Sequence, residues 1–313
     1  MIPVLDNDAV LGAVDARTAI ERTREAFERH ARGEWEMPAK VYLASPPHGD
    51  FRAMPARGDG LALLKWVTSF PHNPERGLPV VAGAVVLSDA TTGELRAVMD
   101  CRAVTWLRTG ASAAVSAQAL ATRSARSVGV IGCGVNGAWA ARCLVAAGYG
   151  PGVCADSSPD AARALADELG WTVGSRADAA SREIVITITP GEEPVVLASD
   201  LREGQHLAVL GADAHGKAEV EPEAIARCRL FCDEWTQAAG GGELAGPASA
   251  GQVGRDRVTQ LGDVLIGRAD GRAGPEEITL FDSTGLAIQD LAIAGAAYDA
   301  WRDGAVDAQS IRL

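Results

Sequence analysis

The stretch ARSVGVIGCGVNGAWAARCLVAAG, residues 125–148, passes from a short apolar run through glycines into an alanine-rich segment of helical length. Ser127 to Ile131 reads as a buried strand, Gly132-Cys133-Gly134-Val135-Asn136-Gly137 as a tight turn, and the remainder as a helix. A GxGxxG pattern alone is a weak signal, and a purely structural glycine bend is the alternative. Between a strand and a helix it meets the needs of a bound pyrophosphate. The backbone can approach closely, and a helix N-terminus faces the negative charge. A second strand, GVCADSS (152–158), contains Asp156, whose carboxylate suits adenosine ribose hydroxyls and repels a 2′-phosphate; Ser157 and Ser158 add no cation. NAD is therefore expected in preference to NADP.

Downstream, SPDAARALADELG reads as a helix capped by Ser158 with Pro159 in its first turn. EIVITIT (183–189), HLAVLGAD (206–213) and RLFCDE (229–234) are short apolar runs suited to buried parallel strands. The alternation predicts a doubly wound α/β domain over 122–285. AAGGGELAGPASAG (238–251) is expected to be a mobile loop. GLAIQDLAIAGAAYDAWRD (285–303) is expected to be a helix, apolar on more than one face, that packs back on the first domain.

Upstream, residues 6–32 read as helical, with Asp6 or Asn7 as cap and a break near Asp15. From Val41 to Asp100 the pattern becomes short β-like runs, VYLA, LALLKWV, VVAGAVVLSD and ELRAVMD, with SDATTGEL as a hairpin connection. An antiparallel sheet is expected there, followed by a helix over 103–122.

The chain has 313 residues, enough for two domains, with 47% hydrophobic and 22% charged residues, a soluble globular balance. A net charge of −12 argues against a nucleic-acid or anionic-membrane partner, which would need a basic footprint. Val80 to Leu87, the longest apolar run, is far short of the ~20 residues that span a bilayer. MIPVLDNDAV has no basic leader region, so a cytoplasmic protein is expected. Cysteines 101, 133, 143, 154, 228 and 232 form no CxxC pair, and the five histidines form no HExxH, so no metal site is expected.

Only three of the 29 basic residues are lysines, Lys40, Lys65 and Lys217. Arginine solvates a surface equally well, so a lysine kept against that bias suggests a titrating or compact charge, with chance as the alternative.

FRAMPA (51–56), LLKWVTSFPHNPERGLP (63–79), LSDATTGEL (87–95), TWLRTGASAA (105–114), LGADAHGKAEVE (210–221) and ITLFDSTGLAIQD (278–290) occur in one order along nearly the whole chain. Together they resemble the ornithine cyclodeaminase/mu-crystallin family. The resemblance implies a Rossmann-type doubly wound NAD domain at 122–285. It also implies an α/β substrate-binding and dimerisation domain at 1–121, completed by a C-terminal helix in 286–313. It further implies hydride transfer between a nicotinamide and the Cα of an amino or imino acid by a homodimer. Lys65 matches the family's substrate lysine, Asp213 its catalytic aspartate, and Arg108 the arginine near the substrate carboxylate and nicotinamide. The cofactor set carried over is Arg108, Thr109, Gly132, Gly134, Val135, Asn136, Gly137, Asp156, Thr187, Thr189, Leu210, Lys217 and Ser283.

That constellation is chemically coherent. Arg108 and a lysine fix a carboxylate, and Asp213 can shuttle the imine proton or stabilise the iminium. Lys65, desolvated between cations, can itself serve as acid or base. The bland alternatives are a helix N-cap for Asp213, an edge-strand surface lysine for Lys65, and an arginine bridging domains for Arg108.

Lys40 in EMPAKVY and Arg52 in FRAMPA resemble the pair that holds the oxo-acid in the alanine dehydrogenase branch, although a solvated arginine is the alternative for Arg52. Arg52 would repel a second substrate ammonium and attract carboxylate. Val80 stands where the family often has threonine. The expected activity is an NAD(H)-dependent oxidoreductase of a small 2-oxo or 2-imino acid and its amino acid. An ornithine or lysine cyclodeaminase with catalytic NAD and a non-catalytic NAD(P)H-binding protein are the alternatives.

Overall fold

Alternating hydrophobicity before residue 100 and unbroken apolar runs after residue 127 become two separate sheets. The computed structural model describes residues 1–190, 193–214 and 216–312. The chain divides into two compact units, 1–108 with 286–313, and 109–285. The division falls inside a helix, Cys101–Leu120, rather than after it at 121/122 as the sequence grammar suggested. An alanine-rich helix carries no compositional mark at the point where its packing partners change.

The first unit opens with strand β1 (Ile2–Leu5) and helices α1 (Asn7–Ala13) and α2 (Ala16–Ala31). The break at Asp15 is a second N-cap, since its carboxylate accepts from Thr18 N as Asp6 accepts from Ala9 N. Strands β2 (Val41–Ser45), β3 (Gly49–Gly58), β4 (Leu61–Ser69), β5 (Val81–Asp89) and β6 (Leu95–Asp100) form an antiparallel meander before α3 (Cys101–Leu120). The SDATTGEL connection closes on Asp89, whose carboxylate accepts from Thr91 N and Thr92 N.

The second unit runs β7 (Val128–Ile131), α4 (Val135–Ala146), β8 (Gly152–Ala155), α5 (Pro159–Leu169), β9 (Thr172–Val173), α6 (Arg176–Ala180), β10 (Ile184–Thr187) and β11 (His206–Val209). It continues with α7 (Pro222–Ile225), β12 (Arg229–Cys232), α8 (Trp235–Gly241), α9 (Ala245–Ser249), β13 (Val258–Gln260), α10 (Leu261–Leu265) and β14 (Thr279–Asp282). The chain returns to the first unit with α11 (Ala287–Arg302) and β15 (Gln309–Ile311).

The first sheet has the order β15-β1-β6-β5-β4-β3-β2. It is not wholly antiparallel, because β1 pairs parallel to β6. A four-residue strand such as β1 offers too little periodicity to be read from sequence. Register aligns Met54, Lys65, Val85, Met99 and Leu5 across five strands, and all five are buried. Helix α11 packs against α2, β3 and β4.

The second sheet is parallel throughout, ordered β13-β12-β14-β11-β10-β7-β8-β9. From β7 the chain moves one way to β8 and β9, then crosses back to β10 and β11. That reversal opens a crevice beyond the C-terminal ends of β7 and β10, the usual ligand position of doubly wound sheets. The strands are buried along their length, which is why they lack alternation. Residues 238–251 are not a loop: α8 and α9 lie there, with Glu243 and Leu244 buried between them. Glycine content concealed two short helices. Among the described residues, no helix is long and apolar enough to cross a membrane.

Candidate active site

The first unit gathers the cations expected to meet substrate. Lys65, in the middle of β4, is 1% exposed, and its ammonium donates to Asp290 Oδ1 at 2.8 Å. Asp290 sits in the first turn of α11 and is fully buried. Arg108 Nε lies 3.6 Å from the same Asp290 oxygen, so both cations converge on one carboxylate. Burial pushes the Lys65 ammonium below the ordinary lysine range; Asp290 opposes that shift and Arg108 adds to it.

Arg52 lies on the same buried sheet face, two residues before Met54 in β3, the strand beside that of Lys65. It donates to Asp50 at 2.6 Å through Nε and stacks 5.4 Å above the Tyr42 ring. Lys40 directly precedes β2, whose register sets Tyr42 opposite Arg52, so an extended chain places Lys40 on that side as well. Val80 is 37% exposed just ahead of β5.

The second unit carries Asp213 and the remaining cofactor set. Helix α4 begins at Gly134 with no side chain capping it, so its first amides have no side-chain acceptor. A Cβ on Gly134 would meet nothing within 4 Å, whereas one on Gly137 would fall 1.8 Å from Gly132 O. The turn is thus open toward a ligand and closed toward its own helix. Gly132, at φ +100°, adopts a conformation that side chains rarely reach. Val135 is an exposed apolar side chain at the turn, and Asn136 Oδ1 and Thr109 Oγ1 are buried without a partner among the described residues.

Asp156 follows β8; its Oδ2 accepts from Cys133 N at 2.5 Å and its Oδ1 from Ser158 N at 2.7 Å. A carboxylate has about four acceptor directions, so capacity remains for ribose hydroxyls. These features fit a dinucleotide: an uncapped helix start, an open glycine turn, an acid at the second strand and orphaned polar atoms.

Beyond β10 and β11 the expected contacts are organised by a residue the sequence reading missed. Glu219 accepts from Thr187 Oγ1 at 2.9 Å, Thr189 Oγ1 at 2.8 Å, Thr189 N at 2.6 Å and Gly211 N at 2.7 Å. Both threonine hydroxyls are therefore engaged within the unit. Glu219 N and Val220 N in turn donate to Glu243. Burial raises the carboxyls of both acids, Glu243 to about 7.

Leu210 is buried, its N–H donating to Thr187 O, and Ser283 is buried after β14 with its N–H on Val209 O. Asp213 is in irregular backbone, not at a helix N-cap, and accepts from Lys217 Nζ at 2.7 Å; both side chains are 32% exposed. Among the described residues, no group of three or more His, Cys, Asp or Glu is arranged to hold a metal.

Asp290 was also missed as a site residue, although it ends a quoted motif. The available signal was an acid inside an otherwise apolar helix, which implies a buried cation opposite it. Glu219 and Glu243 had no such signal, because their partners are backbone amides and hydroxyls supplied by the fold.

The sequence profile of the ornithine cyclodeaminase/mu-crystallin family matches residues 4–305. The chain is 38% identical over 303 residues to the alanine dehydrogenase of Archaeoglobus fulgidus, covering 95% of this chain and 94% of that protein. It is 33% identical over 245 residues to the iminosuccinate reductase of Paracoccus denitrificans, covering 72% and 73% respectively. The solved archaeal alanine dehydrogenase dimer with bound NAD superposes with a TM-score of 0.95 at 36% identity, covering 100% of this chain and 99% of that one. With a full-length profile match, extended identity and the paired sheets in agreement, the chain belongs to the ornithine cyclodeaminase/mu-crystallin family.

Proposed function

We propose that this protein is an NAD(H)-dependent oxidoreductase acting at the Cα of a small amino or imino acid, in the manner of an alanine dehydrogenase or imino-acid reductase. The observation that carries this reading is Lys65, an ammonium held in an apolar row with Arg108 beside it. Burying such a charge is costly, and a stability role would be served better by an apolar side chain. Two converging cations suit a substrate α-carboxylate.

When bound at the glycine turn, the nicotinamide cofactor supplies or accepts the hydride at Cα. The chain's own residues do the rest. Asp156 takes the ribose hydroxyls and disfavours a 2′-phosphate, which makes NAD the cofactor. Lys65 and Arg108 hold the carboxylate, with Arg52 and Lys40 adding positive charge on the same sheet face. Asp213 holds and releases the imine proton at its carboxylate, balanced by Lys217 at 2.7 Å.

The working form is a homodimer. The outer face of the first sheet is apolar, with Val41 63%, Leu43 59%, Leu64 42% and Trp66 42% exposed. Register puts all four on one face with Phe51 and Ala84. A contiguous apolar face of this kind suits a second copy of the chain, and the archaeal relative is a dimer. Six free, buried cysteines fit a reducing compartment, the cytoplasm.

The test is absorbance at 340 nm with NADH, ammonia or methylamine, and pyruvate, glyoxylate or oxaloacetate. NADH consumption that requires both amine and oxo acid is expected, and the best acid names the pocket. Proline or pipecolate formed from ornithine or lysine with catalytic NAD would instead make the protein a cyclodeaminase. Silence in both assays with NADH still bound would favour a binding protein.

A further inference from the structure

The buried centre of the first unit holds two cations and one anion: Lys65, Arg108 and Asp290. Asp290 is fully buried, its Oδ1 takes the Lys65 ammonium at 2.8 Å, and its Oδ2 has no hydrogen-bond partner among the described residues. Glu219 and Glu243, by contrast, have both oxygens satisfied, although Asp282 also keeps one oxygen without a partner among the described residues.

Within the sheet Lys65 has no charged residue paired with it. Its strand neighbours Met54 and Val85 are apolar and buried, so they contribute no charge. The charged or titratable groups facing Lys65 are Asp290 from α11, Arg108 and Cys101 from α3, and Arg52 from β3. Burial pushes the Cys101 thiol up to about 11, leaving it neutral, and Arg52 is neutralised by Asp50. Asp290 is thus the anion that sets where the ammonium points.

We propose that Asp290 is the positioning residue of this centre, fixing the Lys65 ammonium, with Arg108 beside the same oxygen, in the orientation that meets a substrate carboxylate. The proposal rests on the reading of the site as an amino- or imino-acid centre and deepens it. It adds a residue that touches no substrate but aims one that does.

Asp290→Asn keeps the shape and removes the charge. Its kcat/KM for the preferred 2-oxo acid should fall about 100-fold at pH 8 while NADH affinity stays within about 3-fold. Without its anion the Lys65 ammonium releases its proton more readily, so the alkaline limb of the kcat/KM profile should move about one pH unit toward acid. The three lysines allow a direct reading: 13C-labelled lysine gives three side-chain signals, assigned with Lys40→Arg and Lys217→Arg variants. The Lys65 signal should titrate lower in Asp290→Asn by the same interval as the activity limb. Activity lost equally at every pH, with that signal unmoved, would mean a structural role and overturn the proposal.

Asp290→Glu keeps the charge and displaces the acceptor oxygen. It should lose about 10-fold in kcat/KM with NADH binding intact. Wild-type kcat/KM in that variant would overturn the positioning role even where Asp290→Asn does not fold. If the unmutated protein oxidises NADH with no oxo acid, the functional reading fails, and the lysine titration still decides whether Asp290 governs Lys65.

Discussion

Each unit buries charge, and the two do so by opposite means. In the first unit, charges answer charges: Lys65 and Arg108 share one carboxylate, and one oxygen of that carboxylate is left over. In the second, charges answer dipoles: Glu219 is met by two threonine hydroxyls and two backbone amides, and Glu243 by two further amides. A carboxylate wrapped in dipoles is finished and serves to fix the backbone beyond β10 and β11. In the first unit the buried carboxylate itself keeps one oxygen without a partner among the described residues. What differs is the kind of partner, a cation pair in the one unit and backbone amides and hydroxyls in the other.

The severest way to break this contrast is Lys65→Ala. It removes the cation proposed to meet substrate and takes from Asp290 its hydrogen-bonded ammonium. Turnover should fall about 1,000-fold, with NADH affinity within about 3-fold of the parent. Stability should drop by about 3 kcal/mol, because a buried carboxylate loses its hydrogen-bonded partner. Turnover near the parent level would remove Lys65 from the mechanism. Asp213→Asn probes the second unit instead. A proton-handling carboxylate is worth about 100-fold in turnover, and since Asp213 is one-third exposed its loss should leave the melting temperature unchanged. Stopped-flow NADH oxidation beside calorimetry separates the two variants.

Asp156→Ser is gentler still. It removes the carboxylate that accepts from Cys133 N and Ser158 N and would face the ribose. The ratio of kcat/KM for NADH over NADPH should fall about 10-fold. An unchanged ratio would limit Asp156 to bracing the glycine turn.

How much of this was legible beforehand follows from the same contrast. The glycine turn was readable because a tight strand-to-helix turn restricts several neighbouring residues at once, and Gly132 and Gly137 are places where a Cβ is excluded. The doubly wound sheet was readable because strands buried on both faces are written as continuous apolar runs. Lys65 stood out through composition and motif together. Asp290, distant in sequence from Lys65, became visible only when α11 crossed the sheet. Glu219 and Glu243 left no trace, because amides and hydroxyls that neutralise a carboxylate carry no pattern of their own. The unit boundary at Arg108/Thr109 was hidden for the related reason that a helix continues through it. In each case the unreadable part was a partnership made by folding rather than by neighbouring residues.

The dipole-wrapped region is tested without touching activity, through its pH dependence. Burial lifts the Glu243 carboxyl to about 7 in the fold, whereas an exposed glutamate releases its proton near 4.5. A group raised in the folded state favours folding fully below 4.5 and loses that contribution as pH rises to about 7. His206 works from the other side. It is buried between Ser116 Oγ and Thr279 Oγ1 and held neutral, with burial lowering it to about 3. Its contribution is complete above the ordinary 6.5 and fades as pH falls toward 3. Glu243→Gln should therefore flatten the decline in stability between pH 4.5 and pH 7 while leaving the acid-side loss intact. The full shift from 4.5 to about 7 bounds the change in the free-energy difference across that interval at about 3 kcal/mol. Urea unfolding at a series of pH values measures it. An unaltered slope would mean that the Glu219 and Val220 amides hold Glu243 ionised in the fold, and that dipoles alone offset its burial.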